Sequence, residues 1–308
     1  MMKFYLAPME GLTGYVYRNA YKKCFGNMDR YFTPFLASKK LSNKEKREVS
    51  PDNNMDMEVV PQILTNKTDE FIAIAKQLEQ RGYTTVNLNL GCPSGTVTAK
   101  NRGAGFLKIT DELEAFLEVI FRESPLKISI KTRIGAYHTE EFEELIQIYN
   151  KFPMEELIIH PRLMTDFYKG TPNYDEFAKA VTKSVHPLCY NGDINAVEDY
   201  NNLIKRFPNV DRIMLGRGLL ANPGLVNEIK GESPISTQEL SDFHKLLYEG
   251  YKKEIGDERN TLFKMKELWV FTGGFFKDDN NIMKDIRKAQ SYMEYDIAVR
   301  KIIKIESR

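Results

Sequence analysis

Along the first 230 residues, short apolar runs alternate with longer amphipathic stretches. The runs predict strands over residues 4–9, 31–37, 58–64, 84–91, 127–134, 157–160, 187–191 and 212–216. Several of them, LIIH and RIMLG among them, are apolar almost throughout, the pattern of parallel strands covered on both faces. Between them, residues 69–81, 111–122 and 140–151 carry apolar positions at helical spacing. Eight strand-plus-helix units predict an α/β fold, a TIM (β/α)8 barrel, and the strand count disfavours the alternative, an open doubly wound sheet. From Pro234 the alternation stops. Residues 236–308 hold helical patterns only: TQELSDFHKLLYEGYKKEI, then RNTLFKMKELWVFTGGFF with a break at Gly273-Gly274, then a basic C-terminal helix. The expected organisation is a barrel over residues 1–233 followed by a C-terminal all-helical domain over 234–308.

Composition adds little to that picture except by exclusion. The 308 residues are 42% apolar and 28% charged, ordinary for a globular chain with a large core. Lys+Arg 44 against Asp+Glu 43 leaves a net charge of +1, so any affinity for nucleic acid must come from local patches. Two such runs stand out: KKLSNKEKRE after the second strand, and Lys284, Arg287, Lys288, Arg300, Lys301 and Lys304 near the end. Taken singly, either reads first as a solvated surface and only second as a nucleic-acid contact. Cys24, Cys92 and Cys189 are an odd number with no CxxC pair, which excludes a disulfide framework and the usual zinc spacings and suits a reducing cytoplasm. The start, MMKFYLAPMEGL, lacks the apolar run of a signal peptide, and no stretch has the apolar length of a membrane span. The expectation is a cytoplasmic monomer that binds neither metal nor membrane.

Reactive side chains of such a barrel lie at the C-terminal ends of its strands. In NLNLGCPSG, alternation puts Asn87 and Asn89 on one face and Val86, Leu88 and Leu90 on the other. Amides pointing into a barrel need partners, and a ring of donors and acceptors would supply them. Cys92 follows at once, between Gly91 and Pro93 at the mouth; Cys24 and Cys189 read as inert core residues. KISIKTRIG aligns Ser129, Lys131 and Arg133 inward, where a lysine needs an anion or carbonyl to receive it, unless it snorkels to the rim. Gln62 points inward from the third strand and His160 ends the sixth. Asn191-Gly192-Asp193 and Gly216-Arg217-Gly218 follow strands seven and eight, the loops that often seat a phosphate in these barrels. A phosphate seat, a lysine, ring-edge amides and a poised thiol together match a phosphorylated redox cofactor, with FMN the best fit.

With those residues in place, the chain resembles the tRNA-dihydrouridine synthase family. LAPMEGLTGYVYR, NLNLGCP with GAGFL, IKTRIG, HPRLMTDFYKG, NGDI and MLGRGLLANP occur in that family's order and cover almost the whole barrel. The resemblance implies FMN over the barrel mouth, with Pro8 and Met9 along the ring, Gln62, Lys131 and His160 lining it, and Asn191, Gly192, Asp193, Gly216 and Arg217 at the ribityl phosphate. NADPH, or NADH, would reduce the flavin; no GxGxxG segment is present to indicate which. A D-loop uridine of tRNA would be extruded into the pocket, take hydride from flavin N5 at C6, and take a proton from Cys92 at C5. Asn89 would position the base; Lys100, Arg102, Arg162 and Tyr168 would contact substrate, and the helical tail and basic runs the tRNA backbone. The chain departs from the pattern at Asn87, where many members have Asp, and at Pro161, Leu163 and Asp166, where GRTRxQ is common. Rival readings are the same chemistry on a ribosomal RNA uridine or a free pyrimidine, as in dihydroorotate dehydrogenase-like barrels, and a tRNA binder without catalysis.

Overall fold

The computed structural model describes residues 1–273 and 280–306, with side chains described for 1–273 and 283–302. Gly274, the second half of the expected break, and the Lys304 side chain therefore lie outside the described residues. Nine parallel strands form one sheet: β1 (Lys3–Leu6), β2 (Arg30–Phe32), β3 (Val59–Val60), β4 (Gln62–Ile63), β5 (Thr85–Leu90), β6 (Lys127–Arg133), β7 (Leu157–His160), β8 (Leu188–Tyr190) and β9 (Arg212–Leu215). Their order is β3-β2-β1-β9-β8-β7-β6-β5-β4. Since β3 and β4 are consecutive in the chain, this is a TIM barrel whose third strand is cut in two.

The cut falls at Pro61, which has no N–H to give to a ladder. Val59 and Val60 pair with β2, while Gln62 and Ile63 pair with β5. The Pro61 carbonyl accepts from Asn87 N–H at 2.9 Å, and Gln62 N–H turns to Thr33 Oγ1 at 3.1 Å. Pro34 shortens the second strand in the same way, so that only an isolated bridge from Leu36 to Ile63 continues it. The expected strand over 31–37 is therefore three residues long.

The barrel interior holds Tyr5, Ala7, Phe32, Val60, Ile158, Cys189 and Met214. Its floor is ionic. The fully buried Glu156 carboxylate accepts from Tyr5 Oη at 3.0 Å, Arg30 Nη1 at 2.8 Å and Arg212 Nη1 at 3.3 Å. A buried carboxylate is tolerated because each oxygen has a charged donor.

Two compact units divide the chain. The first comprises Met1–Gly11, Met28–Asp193 and Asn202–Leu215, and so contains all nine strands. The second comprises Leu12–Asn27, Ile194–Asn201 and Gly216–Arg308, where the sequence predicts a tail beginning at 234. The difference has a packing cause. In the helix Thr237–Ile255, Phe243 meets Tyr17, Tyr21 and Phe25 edge-on at ring distances of 5.5, 6.3 and 5.4 Å. A Cβ on Gly250 would stand 2.6 Å from Val16 Cγ1, so the helix Tyr15–Cys24 lies close against it. The helix Thr237–Ile255 starts on a Ser236/Glu239 capping box and stops at Gly256 with φ +69°. The expected single basic C-terminal helix is two, Asn280–Lys288 and Tyr292–Glu306. No helix among the described residues is long and apolar enough to cross a membrane.

Candidate active site

Four strand ends of the first unit build the site. On β5 and its neighbours, polar side chains form one chain of hydrogen bonds. Asn87 donates to Ser129 Oγ at 2.9 Å, Gln62 Nε2 donates to Asn87 Oδ1 at 2.8 Å, and Asn89 Nδ2 donates to Gln62 Oε1 at 2.7 Å. Asn89 Oδ1 then accepts from the backbone N–H groups of Gly91 and Cys92 at 3.0 and 2.9 Å. The inward face read from alternation is thus real, and its amides are buried and paired with each other. Gln62 and Asn89 each keep one N–H beyond these bonds.

Cys92 is half-buried at the turn that Asn89 fixes. Burial pushes its thiol above the ordinary range, more than Ser94 N–H and the nearby Arg133 and Lys131 lower it. The sulfur therefore holds its proton at neutral pH, which suits an acid and not a thiolate nucleophile. Cys189 is fully buried and pushed much further up, as an inert core thiol is.

Lys131, on β6 beside Asn89, has its pKa lowered to about 8, first by burial and then by Arg133. It has no hydrogen bond or ion pair among the described residues. An unpartnered ammonium next to two spare amide N–H groups is a donor set lacking its acceptor. The electron-rich carbonyl edge of a flavin ring fits that set; no group of His, Cys, Asp or Glu among the described residues could hold a metal.

His160 ends β7, buried, with Arg162 Nη1 donating to its Nε2 at 2.9 Å. A guanidinium cannot accept, so His160 accepts at Nε2 and carries its proton on Nδ1. Arg162 is 1% exposed and all five of its N–H groups are committed. The others go to Lys169 O at 3.2 Å, Gly170 O at 2.6 Å, and Asp193 Oδ1 and Oδ2 at 3.2 and 2.5 Å. The expected substrate contact at Arg162 thus sits inside the wall, fixing His160 and the 169–170 loop. Asp193 fixes that guanidinium. Asn191 donates to Met214 O at 2.9 Å, and a Cβ on Gly192 would fall 2.1 Å from Tyr190 Oη.

Arg133 points inward as alternation predicts, but its part is evident only in three dimensions. It is 1% exposed, donates to Gly91 O, Leu163 O and Phe167 O at 2.9, 2.6 and 2.5 Å, and lies 5.4 Å under the Tyr168 ring. It ties the Cys92 turn to the loop after β7. The KxR alternation on β6 is the sequence signal for it. Of the other expected contacts, Arg102 pairs with Glu70 at 2.9 Å, Lys100 is exposed, and Pro8 and Met9 are half-buried just beyond β1. In the second unit, Gly216 precedes the short helix Arg217–Ala221, and a Cβ on Gly218 would meet Ile194 O at 2.0 Å.

Fold and site together define a TIM barrel whose mouth carries a thiol held protonated by burial and a lysine ammonium with no hydrogen-bond partner among the described residues. A sequence profile described as dihydrouridine synthase (Dus) matches residues 5–299, and the chain belongs to that family of flavin-dependent oxidoreductases. It is 26% identical over 279 residues to a "probable tRNA-dihydrouridine synthase" of Staphylococcus epidermidis, covering 87% of this chain and 84% of that one. It is 27% identical over 261 residues to "probable tRNA-dihydrouridine synthase 2" of Bacillus subtilis, covering 82% and 79%. Among solved structures, an old yellow enzyme homologue of Zymomonas mobilis superposes with a TM-score of 0.53 at 10% identity, over 76% of this chain and 90% of that one. Histamine dehydrogenase of Rhizobium sp. 4-9 does so at 0.52 and 12%, over 74% and 45%. These two likenesses concern the barrel fold.

Proposed function

We propose that this chain is a tRNA-dihydrouridine synthase that uses NADPH, through FMN, to reduce the C5–C6 bond of D-loop uridines. The observation that carries the reading is a thiol kept protonated by burial, Cys92, on the same mouth as the unpartnered Lys131. When bound, a flavin would supply hydride chemistry for C6 of the uracil. Lys131 and the spare N–H groups of Gln62 and Asn89 would hold its electron-rich edge, with His160 against it. Gly216 and Arg217 are the proposed phosphate-holding pair, with Asn191 and Gly192 beside the ribityl chain.

The rest is the work of the chain's own groups. Cys92 gives its proton to C5 on the face it occupies, and Asn89 keeps the thiol in place through the turn's N–H groups. The positive charges of Lys131 and Arg133 favour electron density built up on the ring before the proton arrives. The helical second unit and the two basic runs are read as the tRNA-holding surface.

The test is a map of dihydrouridine across all RNAs of a strain lacking the gene, set against its parent. Loss at tRNA D-loop positions is expected and names the uridine. Loss confined to ribosomal RNA overturns the tRNA assignment, and purified protein that reduces a free pyrimidine but no RNA overturns the RNA reading altogether.

A further inference from the structure

The loop after β7 contains a backbone outlier. Phe167 has φ +51° and ψ −99°. This is the first central position of a type II′ turn, closed here by Lys169 N–H donating to Asp166 O at 2.8 Å. That position favours glycine, and a bulky side chain there is strained. The surroundings hold it in place. Arg133 takes the Leu163 and Phe167 carbonyls, Asp166 Oδ2 takes Leu163 N–H at 2.8 Å, and Met164 and Thr165 N–H bond the Gly135 and Ala136 carbonyls at 2.9 and 3.3 Å.

Burial does not account for the ring, because Phe167 is 49% exposed. Its neighbour Tyr168 is 53% exposed, with its ring 6.1 Å from that of His160. Tyr137, on the loop after β6 that is hydrogen-bonded to this one, is 51% exposed. A strained ring that packing does not require, where glycine would make the same turn, calls for a functional account. At the catalytic mouth of an RNA-modifying enzyme, an exposed, rigidly held aromatic ring has an obvious use. Bases displaced from their own stack lie on such rings, whatever their sequence.

We propose that Phe167 stacks on a nucleobase beside the uridine being reduced, and so contributes to the affinity with which RNA is held. This rests on the RNA-reducing reading above.

The experiment is steady-state kinetics on tRNA purified from a strain lacking the gene, using the full-length protein with its flavin, together with melting temperatures. Phe167→Ala and Phe167→Gly should each raise KM by roughly tenfold, the effect of losing one stacked base. Phe167→Trp should keep KM near that of the parent. Phe167→Gly should also melt above Phe167→Ala, since only glycine relieves the turn. KM within twofold of the parent for both small variants overturns the stacking role, as does a Gly variant that melts below the Ala one. If the parent protein forms no dihydrouridine in that tRNA, the reading of the function fails and takes this inference with it. A working parent with unmoved variants removes the inference alone.

Discussion

Gly103 and Cys92 are in backbone contact so close that a side chain on the glycine would force the turn to shift: a Cβ on Gly103 would stand 2.7 Å from the Cys92 carbonyl oxygen and 3.0 Å from its Cβ. Gly103 also has φ +57°, and the next residue, Ala104, donates its N–H to that same carbonyl at 3.0 Å. The GAG that follows the NLNLGCP segment is thus the seat on which the thiol rests. Gly103→Ala should displace the turn, lowering kcat by about tenfold or more while retaining flavin, with about 1–3 kcal/mol lost in urea unfolding. A variant with parental kcat would mean that the thiol's exact seat does not matter to the reaction.

For Cys92 itself, the expected outcome of Cys92→Ala is a yellow, RNA-binding protein slowed by roughly 10²–10⁴, the usual worth of a placed general acid. The pH profile carries a sign. Because burial raises the thiol's pKa, the acid form persists through neutrality, and activity should fall only as pH rises beyond the ordinary thiol range. Single-turnover rates across pH, with turnover lost already between pH 6 and 8, would take the proton away from Cys92.

Lys131 has no partner for its charge among the described residues, so on the proposed reading its removal should have opposite effects on fold and function. Lys131→Met should raise the melting temperature of the flavin-free protein by about 2 °C or more, since burying a lone ammonium is unfavourable, and should abolish tight flavin binding. In the parent, titration near pH 8 removes the charge as pH rises. Flavin affinity, read by fluorescence quenching, should therefore weaken above about pH 8 and hold steady below it. An affinity flat from pH 6 to 10 would show that the ammonium does not face the ring.

The barrel floor offers a stability test away from the chemistry. Glu156→Ala leaves Arg30, Arg212 and the Tyr5 hydroxyl without their shared acceptor. Removing one side of a buried ionic cluster costs about 3–5 kcal/mol, here toward the lower end because Arg30 and Arg212 retain Glu58 and Asp211. Urea midpoints give the comparison. A loss below about 1 kcal/mol would mean that the floor is wet and the charges are already solvated.

Strand positions are legible because buried parallel strands are apolar on both faces, and a run such as LIIH is too short and too uniformly apolar for a surface helix or a loop. The inward rows are legible too: two-residue alternation places Gln62, Asn89, Lys131 and Arg133 on the side where they are found. Partnership is less so. Nothing in one strand says that Arg162, two residues beyond His160, will bend back to that ring, or that it will reach Asp193 across 31 positions of chain. Exposed arginines and buried ones look alike in sequence, which is why the wall position of Arg162 and the part of Arg133 stay hidden. The two prolines are the local signals that strand patterning overrides. Pro34 and Pro61 each announce a ladder that must stop.

Pro61 has a last consequence. The circle of strands is sewn shut at one stitch: Val60 on one side belongs to β2's ladder, Gln62 on the other to β5's, and the residue between contributes a carbonyl and no N–H. Gln62, whose amide is proposed to meet the flavin, is the first residue past that stitch. Its side chain lies between Asn87 and Asn89 only while the seam is closed. The register that closes the ring is therefore the same one that sets the Gln62 amide between Asn87 and Asn89.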